Sequence, residues 1–255
     1  VIRRTFALTA GNATAVAGIC ARLEGNPLAI ELAAAWVNVL TVEQILARLG
    51  ASFDLLRTDT LDVPERHQSL RAVVDWSYAL LAPPLKRCFS AAAVFTGGWS
   101  LAAAEHVLAP AEGDVLSSRS ALVDKSLLVM DQGSGPEARF RLLETLRTYA
   151  WRYLEESGTV GFVRQRHAEF FLALAEMAEA KLTGSEQAEW LAQIQGESGN
   201  LLGALGWLRA SGDAARGLRL AGSLWRWWYM QGQLSEGRAQ LAAVLAVPGE
   251  EGTAI

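Results

Sequence analysis

Three histidines, two cysteines and three lysines are the side chains from which this 255-residue sequence would have to build a catalytic or metal centre. His67, His106 and His167 each stand without a cysteine or carboxylate at ligand spacing, whereas a zinc site gathers three or four such ligands. His167 falls on the same helical face as Val163, Phe170 and Leu174, which reads as a core or interface histidine rather than a general base. Cys20 and Cys88 lie far apart in apolar helical patterns and read as buried thiols of a reducing compartment, not a disulfide framework. None of Lys86, Lys125 and Lys181 follows a glycine, so the phosphate loop G-x-x-x-x-G-K-[ST] is absent, and so is a G-x-S-x-G nucleophile elbow. These residues are not arranged for stand-alone catalysis.

Three stretches have a pattern that could serve a ligand or a partner. In Gly25-Asn26-Pro27-Leu28-Ala29-Ile30-Glu31, a proline in the first helical turn makes a rigid corner beside a helix N-terminus, where apolar side chains can press on a purine. The plain alternative is a helix start. Arg139-Phe140-Arg141-Leu142-Leu143-Glu144-Thr145-Leu146 runs from a strand straight into a helix, as a wing does with its trailing helix. In the aromatic run Trp225, Trp227, Trp228 and Tyr229, the spacing puts Trp225 and Trp228 on one buried stripe. Trp227 and Tyr229 lie off it and are the candidates to line a partner groove, with helix–helix packing as the competing account.

The elements that must hold these residues are mainly helical. Asn12 is placed to cap a helix striped by Val16, Ile19, Cys20 and Leu23, which Gly25 closes. Asn26 and Pro27 open a second helix that is apolar nearly all round through Val37, and Thr41 with Gln44 forms a capping box for a third that ends at Gly50. A mixed-charge linker around Thr58–Glu65 leads to helices broken at Pro83-Pro84 and Gly97-Gly98. Ser100 caps the next, with Leu101, Ala104, Val107 and Leu108 inward, and another follows from Asp114 to Lys125. Leu127–Met130 and Arg139–Leu142 flank a turn-rich segment and are the only convincing β-structure. From residue 160 the chain is helical to its end in short-looped pairs, Leu218, Ala221, Leu224, Trp225 and Trp228 striping one of them. The fold class is thus a small helical bundle at 1–58, a winged-helix domain at 64–158 with one β-hairpin, and helical repeats of α-solenoid (TPR-like) kind at 160–255.

Composition bounds the function. Hydrophobic residues are 51% of the chain and charged residues 20%, with a net charge of -4. That supplies a core and argues against a protein that coats nucleic acid. No apolar run reaches the roughly 18 residues a membrane span needs, so a cytoplasmic protein is expected, with no membrane partner. A chain opening on Val1 rather than methionine reads as a piece of a longer one, its repeats cut short.

Taken together and in this order, the stretches resemble the C-terminal half of the NB-ARC-type nucleotide-binding module of STAND ATPases, as found in bacterial LuxR-type and antibiotic-regulator (SARP) transcriptional regulators. The resemblance rests on Ile19–Ala35, Gln68–Tyr78, Val94–Leu101, Leu122–Leu127 and Arg141–Arg147. It implies an ATP-dependent switch in which a P-loop domain, upstream in the same chain, holds the phosphates. A helical domain and a winged helix close over the nucleotide as lid and hinge, and helical repeats sense an effector or protein. It also places Gly25, Pro27 and Leu28 on the adenine side. The family's phosphate-sensing histidine, central in a Met-His-Asp triplet, falls on Leu143 of Leu142-Leu143-Glu144, and leucine cannot donate that hydrogen bond. The expected cofactor is ATP or ADP in the intact parent only, with none held tightly by this piece, which is not itself an enzyme. Two other readings compete. One is a DNA-binding winged helix reading with Asp114–Lys125 and touching phosphate with Arg139 and Arg141. It is weakened by Asp114 and Asp124 beside Arg119 and Lys125, which leave no strong basic face, so direct DNA contact is not favoured. The other is a protein–protein interaction scaffold using Trp227 and Tyr229.

Overall fold

The computed structural model of the chain describes residues 6–23, 25, 30, 33, 34, 37, 40–49, 75, 78–108, 121–123, 125, 127–131 and 138–247. The fold is mainly α, as the periodicity predicts, with one small antiparallel sheet. No helix among the described residues is long and apolar enough to cross a membrane. Two compact units form, one from Val1–Lys86 with Leu143–Tyr149, the other from Arg87–Leu142 with Ala150–Ile255.

In the first unit, α1 (Ala13–Arg22) packs on α2 (Val42–Leu49). Ala15, Ile19 and Leu23 are buried on the first, Val42, Ile45 and Leu49 on the second. Gly18 brings the helices close: a Cβ there would lie 3.0 Å from Leu46 Cδ2. The guanidinium of Arg22 donates from Nε to the Leu49 carbonyl at 3.0 Å, satisfying one of the carbonyls a helix end leaves free. The capping box of α2 forms as its spacing predicts, Thr41 N–H donating to Gln44 Oε1 at 3.0 Å and Gln44 N–H to Thr41 Oγ1 at 3.3 Å. Asn12 behaves differently. It precedes α1, but its side chain closes the turn before the helix, accepting from Thr9 N–H at 2.8 Å and donating to the Ala7 carbonyl at 3.0 Å. Cys20 is half-buried rather than buried, while Cys88 in the second unit is buried.

The second unit is entered through α3 (Pro83–Ala91), which begins on the proline pair and buries Cys88, Phe89, Ser90 and Ala91. A single 3-10 turn at Ala92–Val94 follows. Strand β1 (Trp99–Ser100) leads into α4 (Leu101–Leu108), whose first turn is capped by Ser100 Oγ accepting from Ala103 N–H at 3.2 Å. Ala103, Ala104, Val107 and Leu108 face the core, whereas Leu101, expected inward, is exposed. Strands β2 (Val129–Asp131) and β3 (Arg139–Arg141) form the expected hairpin, and β1 adds a third strand in the order β1-β3-β2, pairing Trp99 with Phe140 and Ser100 with Arg139. Gly98 makes this approach possible. Its φ is +120° and a Cβ would sit 3.0 Å from the Phe140 carbonyl oxygen, so any side chain would meet both strain and backbone.

The helices that follow are α5 (Glu144–Glu156), α6 (Val160–Lys181), α7 (Gln187–Gly196), α8 (Ser198–Ala210), α9 (Ala214–Met230) and α10 (Leu234–Leu245). Helix α6 is the spine, packed by α4, α7, α8 and α9, and its inner face carries Val163, His167, Phe171, Leu172 and Ala175. Helix α9 packs on α6, α8 and α10, so two of its flanks are covered rather than one. Its buried set is therefore Gly217, Leu220, Ala221, Ser223, Leu224, Trp227 and Trp228, while Leu218 and Trp225, expected on the buried stripe, are exposed. Glycines let α9 and α10 meet closely: a Cβ on Gly237 would lie 2.7 Å from Trp228 Cε3, and one on Gly217 would lie 2.9 Å from Val244 Cγ1. Across α5, α6 and α8, the Arg164 guanidinium lies over two indoles, 4.7 Å from the Trp151 ring and 5.2 Å from that of Trp207.

Candidate functional site

The residues singled out on the nucleotide side are only partly described. Gly25 ends α1 with φ +70° and its N–H donates to the Cys20 carbonyl at 3.0 Å. It is exposed, and a Cβ there would meet nothing within 4 Å. Pro27 and Leu28 lie outside the described residues, as do His67, Asp114 and Arg119. Leu143 is half-buried between β3 and α5, its carbonyl accepting from Arg147 N–H at 2.8 Å. Beside it, Glu144 takes a two-pronged bond from the Arg147 guanidinium, Nε to Oε2 at 3.0 Å and Nη2 to Oε1 at 2.9 Å. The carboxylate in the third position of the triplet is thus held by an arginine one turn along its own helix.

Among the described residues the most developed polar arrangement lies in the second unit, where the first turn of α8 meets the loop between the 3-10 turn and β1. Asn200 is fully buried, yet its amide is satisfied at both ends. Its Oδ1 accepts the Thr96 N–H at 2.7 Å, and its Nδ2 donates to the Gly98 carbonyl and to Glu197 Oε2, each at 2.7 Å. Those partners fix the orientation of the amide, because a flipped group would set a carbonyl against two oxygens. Glu197, also buried, accepts the Arg139 guanidinium of β3 from Nη1 at 2.5 Å, and Arg139 Nη2 reaches the Gly196 carbonyl at 3.4 Å. Glycine at 199 admits the loop, since a Cβ there would be 3.1 Å from the Thr96 carbonyl oxygen. Three segments distant in sequence, the loop, the wing strand and the α7–α8 joint, are thereby joined by one network of charge-assisted and neutral bonds, each completed by the others.

His167 borders this network. Its Nε2 stands 3.5 Å from Asn200 Oδ1, an atom that can only accept, so the imidazole carries its proton on Nε2. The ring packs against Phe171 at 4.6 Å and Phe95 at 5.4 Å, and Phe95 is in turn stacked on Trp99 at 4.6 Å. Burial pushes its pKa down from 6.5 to about 4, the Asn200 bond opposing and the Arg164 charge adding to the fall. It is a neutral core histidine, as its place on the apolar face of α6 suggests. His106 is exposed, and its backbone carbonyl accepts from Arg166 Nε at 2.7 Å. Among the described residues no group of three His, Cys, Asp or Glu side chains is placed to hold a metal.

The aromatic run separates differently from the spacing argument. Trp227, expected off the buried stripe, is 2% exposed, and its Nε1 donates to Gln195 Oε1 at 3.3 Å. The cover over the second flank of α9 turns it into a core residue. Tyr229 is exposed as expected, and Trp225 joins it on the surface, with ring centroids 6.5 Å apart. Arg139, which a phosphate-touching wing would extend outward, is turned to Glu197. Sequence reasoning missed the Asn200–Glu197–Arg139 network. Its local trace is slight: Glu197 and Asn200 stand three apart in the polar, glycine-containing stretch Gln195–Asn200.

Over 243 residues, 94% of its length, the chain is 39% identical to proteins of Mycobacterium tuberculosis and Mycobacterium bovis that bear the name "Putative HTH-type transcriptional regulator". It spans 27% of their length. A second Mycobacterium tuberculosis protein, named only as uncharacterized, is 39% identical over 170 residues, covering 65% of this chain and 43% of that protein. No protein-family model matches the chain.

Proposed function

We propose that the chain is the lid, hinge and effector-sensing part of an ATP-dependent transcriptional regulator, acting through protein contacts rather than by catalysis of its own. The similarity to proteins named as HTH-type regulators supports the regulatory half of this reading. The resemblance of Ile19–Ala35 and Arg141–Arg147 to an NB-ARC-type module supports the nucleotide half. The observation that carries the mechanism is the buried Asn200 network. Because Thr96, Gly98 and Arg139 on the wing side are bonded to Asn200 and Glu197 at the start of α8, the hairpin and the helical repeats move as one body. A nucleotide-dependent tilt of the winged helix is then carried undamped into the repeats, and an effector on the repeats biases the lid in return.

In this reading the phosphates and Mg²⁺ are held by a P-loop domain upstream in the parent chain, with Gly25, Pro27 and Leu28 on the adenine side. Leu143, which offers no side-chain donor, leaves the ADP-bound state without the family's histidine contact. DNA is contacted elsewhere in the parent, since Arg139 of the wing is engaged by Glu197. Isothermal calorimetry tests the division of labour. The 255-residue chain is expected to bind ATP no tighter than roughly millimolar, because anion binding at helix N-termini and P-loops supplies most of the affinity. The parent protein with its upstream domain is expected to bind at micromolar levels. Micromolar ATP binding by the chain alone would refute the reading.

A further inference from the structure

The exposed face of α9 carries a feature that the switch does not use. Leu218, Gly222, Trp225 and Tyr229 follow at i, i+4, i+7 and i+11, which lays them in one row along the helix, about 16 Å long at 1.5 Å per residue. Leu218, Trp225 and Tyr229 are exposed to 37%, 43% and 62%. At the centre of the row Gly222 leaves a notch, since a Cβ there would meet nothing within 4 Å. Beside the row lies a cation. Helix α9 bears Arg216, Arg219 and Arg226 and no acidic residue. Arg216 is paired with Asp213 and Glu169, and Arg219 with Glu176. Among the described residues Arg226 has no carboxylate partner. Its guanidinium lies 4.6 Å over the Trp225 ring, and its buried Nε has no hydrogen-bond partner.

We propose that this row is a docking surface for an acidic amphipathic helix, which seats an apolar side chain in the Gly222 notch between Leu218 and Trp225 and a carboxylate on Arg226. A straight row of knobs with a gap one turn wide matches the side-chain rows of a second helix rather than an extended strand. Tryptophan, tyrosine and arginine together are also the residue types that dominate interface energies. The charge decides the partner's sign. A cation already stacked on an indole and lacking a counterion rejects a basic helix and gains a charge-assisted bond from an acidic one. The proposal rests on the reading of the repeats as a sensing region and gives that region's partner a chemistry.

Fluorescence anisotropy with three labelled 18-residue helical peptides tests it on the full 255-residue chain: a leucine row with a glutamate face, the same row with a lysine face, and the glutamate face with the leucines replaced by serine. The Leu/Glu peptide is expected to bind about tenfold tighter than either of the others. Trp225→Ala should weaken it about tenfold with the melting temperature unchanged, and Tyr229→Ala serves if that variant is unstable. Arg226→Gln should bring the glutamate and lysine peptides to similar affinity, while Arg226→Lys keeps their difference. Equal binding of the two leucine peptides to the wild-type chain, or a glutamate preference that survives both Trp225→Ala and Arg226→Gln, overturns the proposal. So does a dimer in sedimentation velocity that Trp225→Ala abolishes, since the row would then belong to a second copy. Loss of peptide binding with micromolar ATP affinity retained in the parent removes this surface alone, and the converse result removes the nucleotide reading alone.

Discussion

Acid should loosen the second unit through His167, well above the pH at which carboxylates titrate. In the unfolded chain the imidazole titrates near 6.5, and in the fold burial holds it at about 4. Between those values the unfolded state binds more protons, so stability falls as the pH drops through this window. Above 6.5 both states are neutral and the effect vanishes; below about 4 both are charged and the penalty is complete. At about 1.4 kcal/mol per pH unit, the step from 6.5 to about 4 is a full penalty of about 3 kcal/mol, of which about 2 kcal/mol falls between pH 7 and pH 5. Urea unfolding followed by far-ultraviolet circular dichroism at pH 7, 6 and 5 measures it. His167→Phe, which keeps an aromatic ring between Phe95 and Phe171, should have a fixed stability offset but a pH slope smaller by about that amount. Parallel pH dependences of wild type and variant over this range would show that the imidazole is not held neutral by burial, and the reasoning would fail.

Two further outcomes follow from the same geometry. Asn200→Ala strands the Gly98 carbonyl and one oxygen of Glu197 in a buried site, and should destabilise by about 2–4 kcal/mol in urea unfolding, since each unpaired buried group costs about 1–3 kcal/mol. Gly98→Ala should cost more than Gly97→Ala: both residues have positive φ, +120° and +84°, but only at 98 does the new Cβ strike a backbone carbonyl, so a difference of about 1 kcal/mol or more in their unfolding free energies is expected.

What was legible in the sequence was local. The Thr41–Gln44 capping box needs only residues three apart, and it forms. The hairpin strands and the order of the helices from Pro83 to Leu108 and from Glu144 on were readable from period and turn residues, while the expected helices at Asn26–Val37, Leu70–Leu81 and Asp114–Lys125 lie largely outside the described residues. His167 was readable as a core residue because its own helix face told of its burial. Strand β1 was not readable, because two residues carry no period and its partner Phe140 lies some forty positions away. The row on α9 was misread for a related reason. A 3.6-residue stripe assumes one covered face, and α9 is covered on two, which hides Trp227 and frees Trp225. The Asn200 network joins residues up to 104 positions apart, so no window of sequence contains it. The nucleotide-side corner at Pro27 and Leu28 lies outside the described residues, and its part in the switch follows from the resemblance, with calorimetry as its test.

The Trp151–Arg164–Trp207 sandwich differs in kind from the Asn200 network a short way along the same helix. A delocalised cation between two flat ring faces is attracted across a broad, shallow minimum, so the rings can slide past it by small distances with little change in energy. Directional bonds at 2.7 Å permit no such travel. Helix α8 is therefore bolted to the wing side at Asn200 and rides on a lubricated bearing where Trp207 meets Arg164. A tilt of the wing should therefore enter α8 through its Asn200 end, while small shears between α5 and α8 at the bearing offer it little resistance.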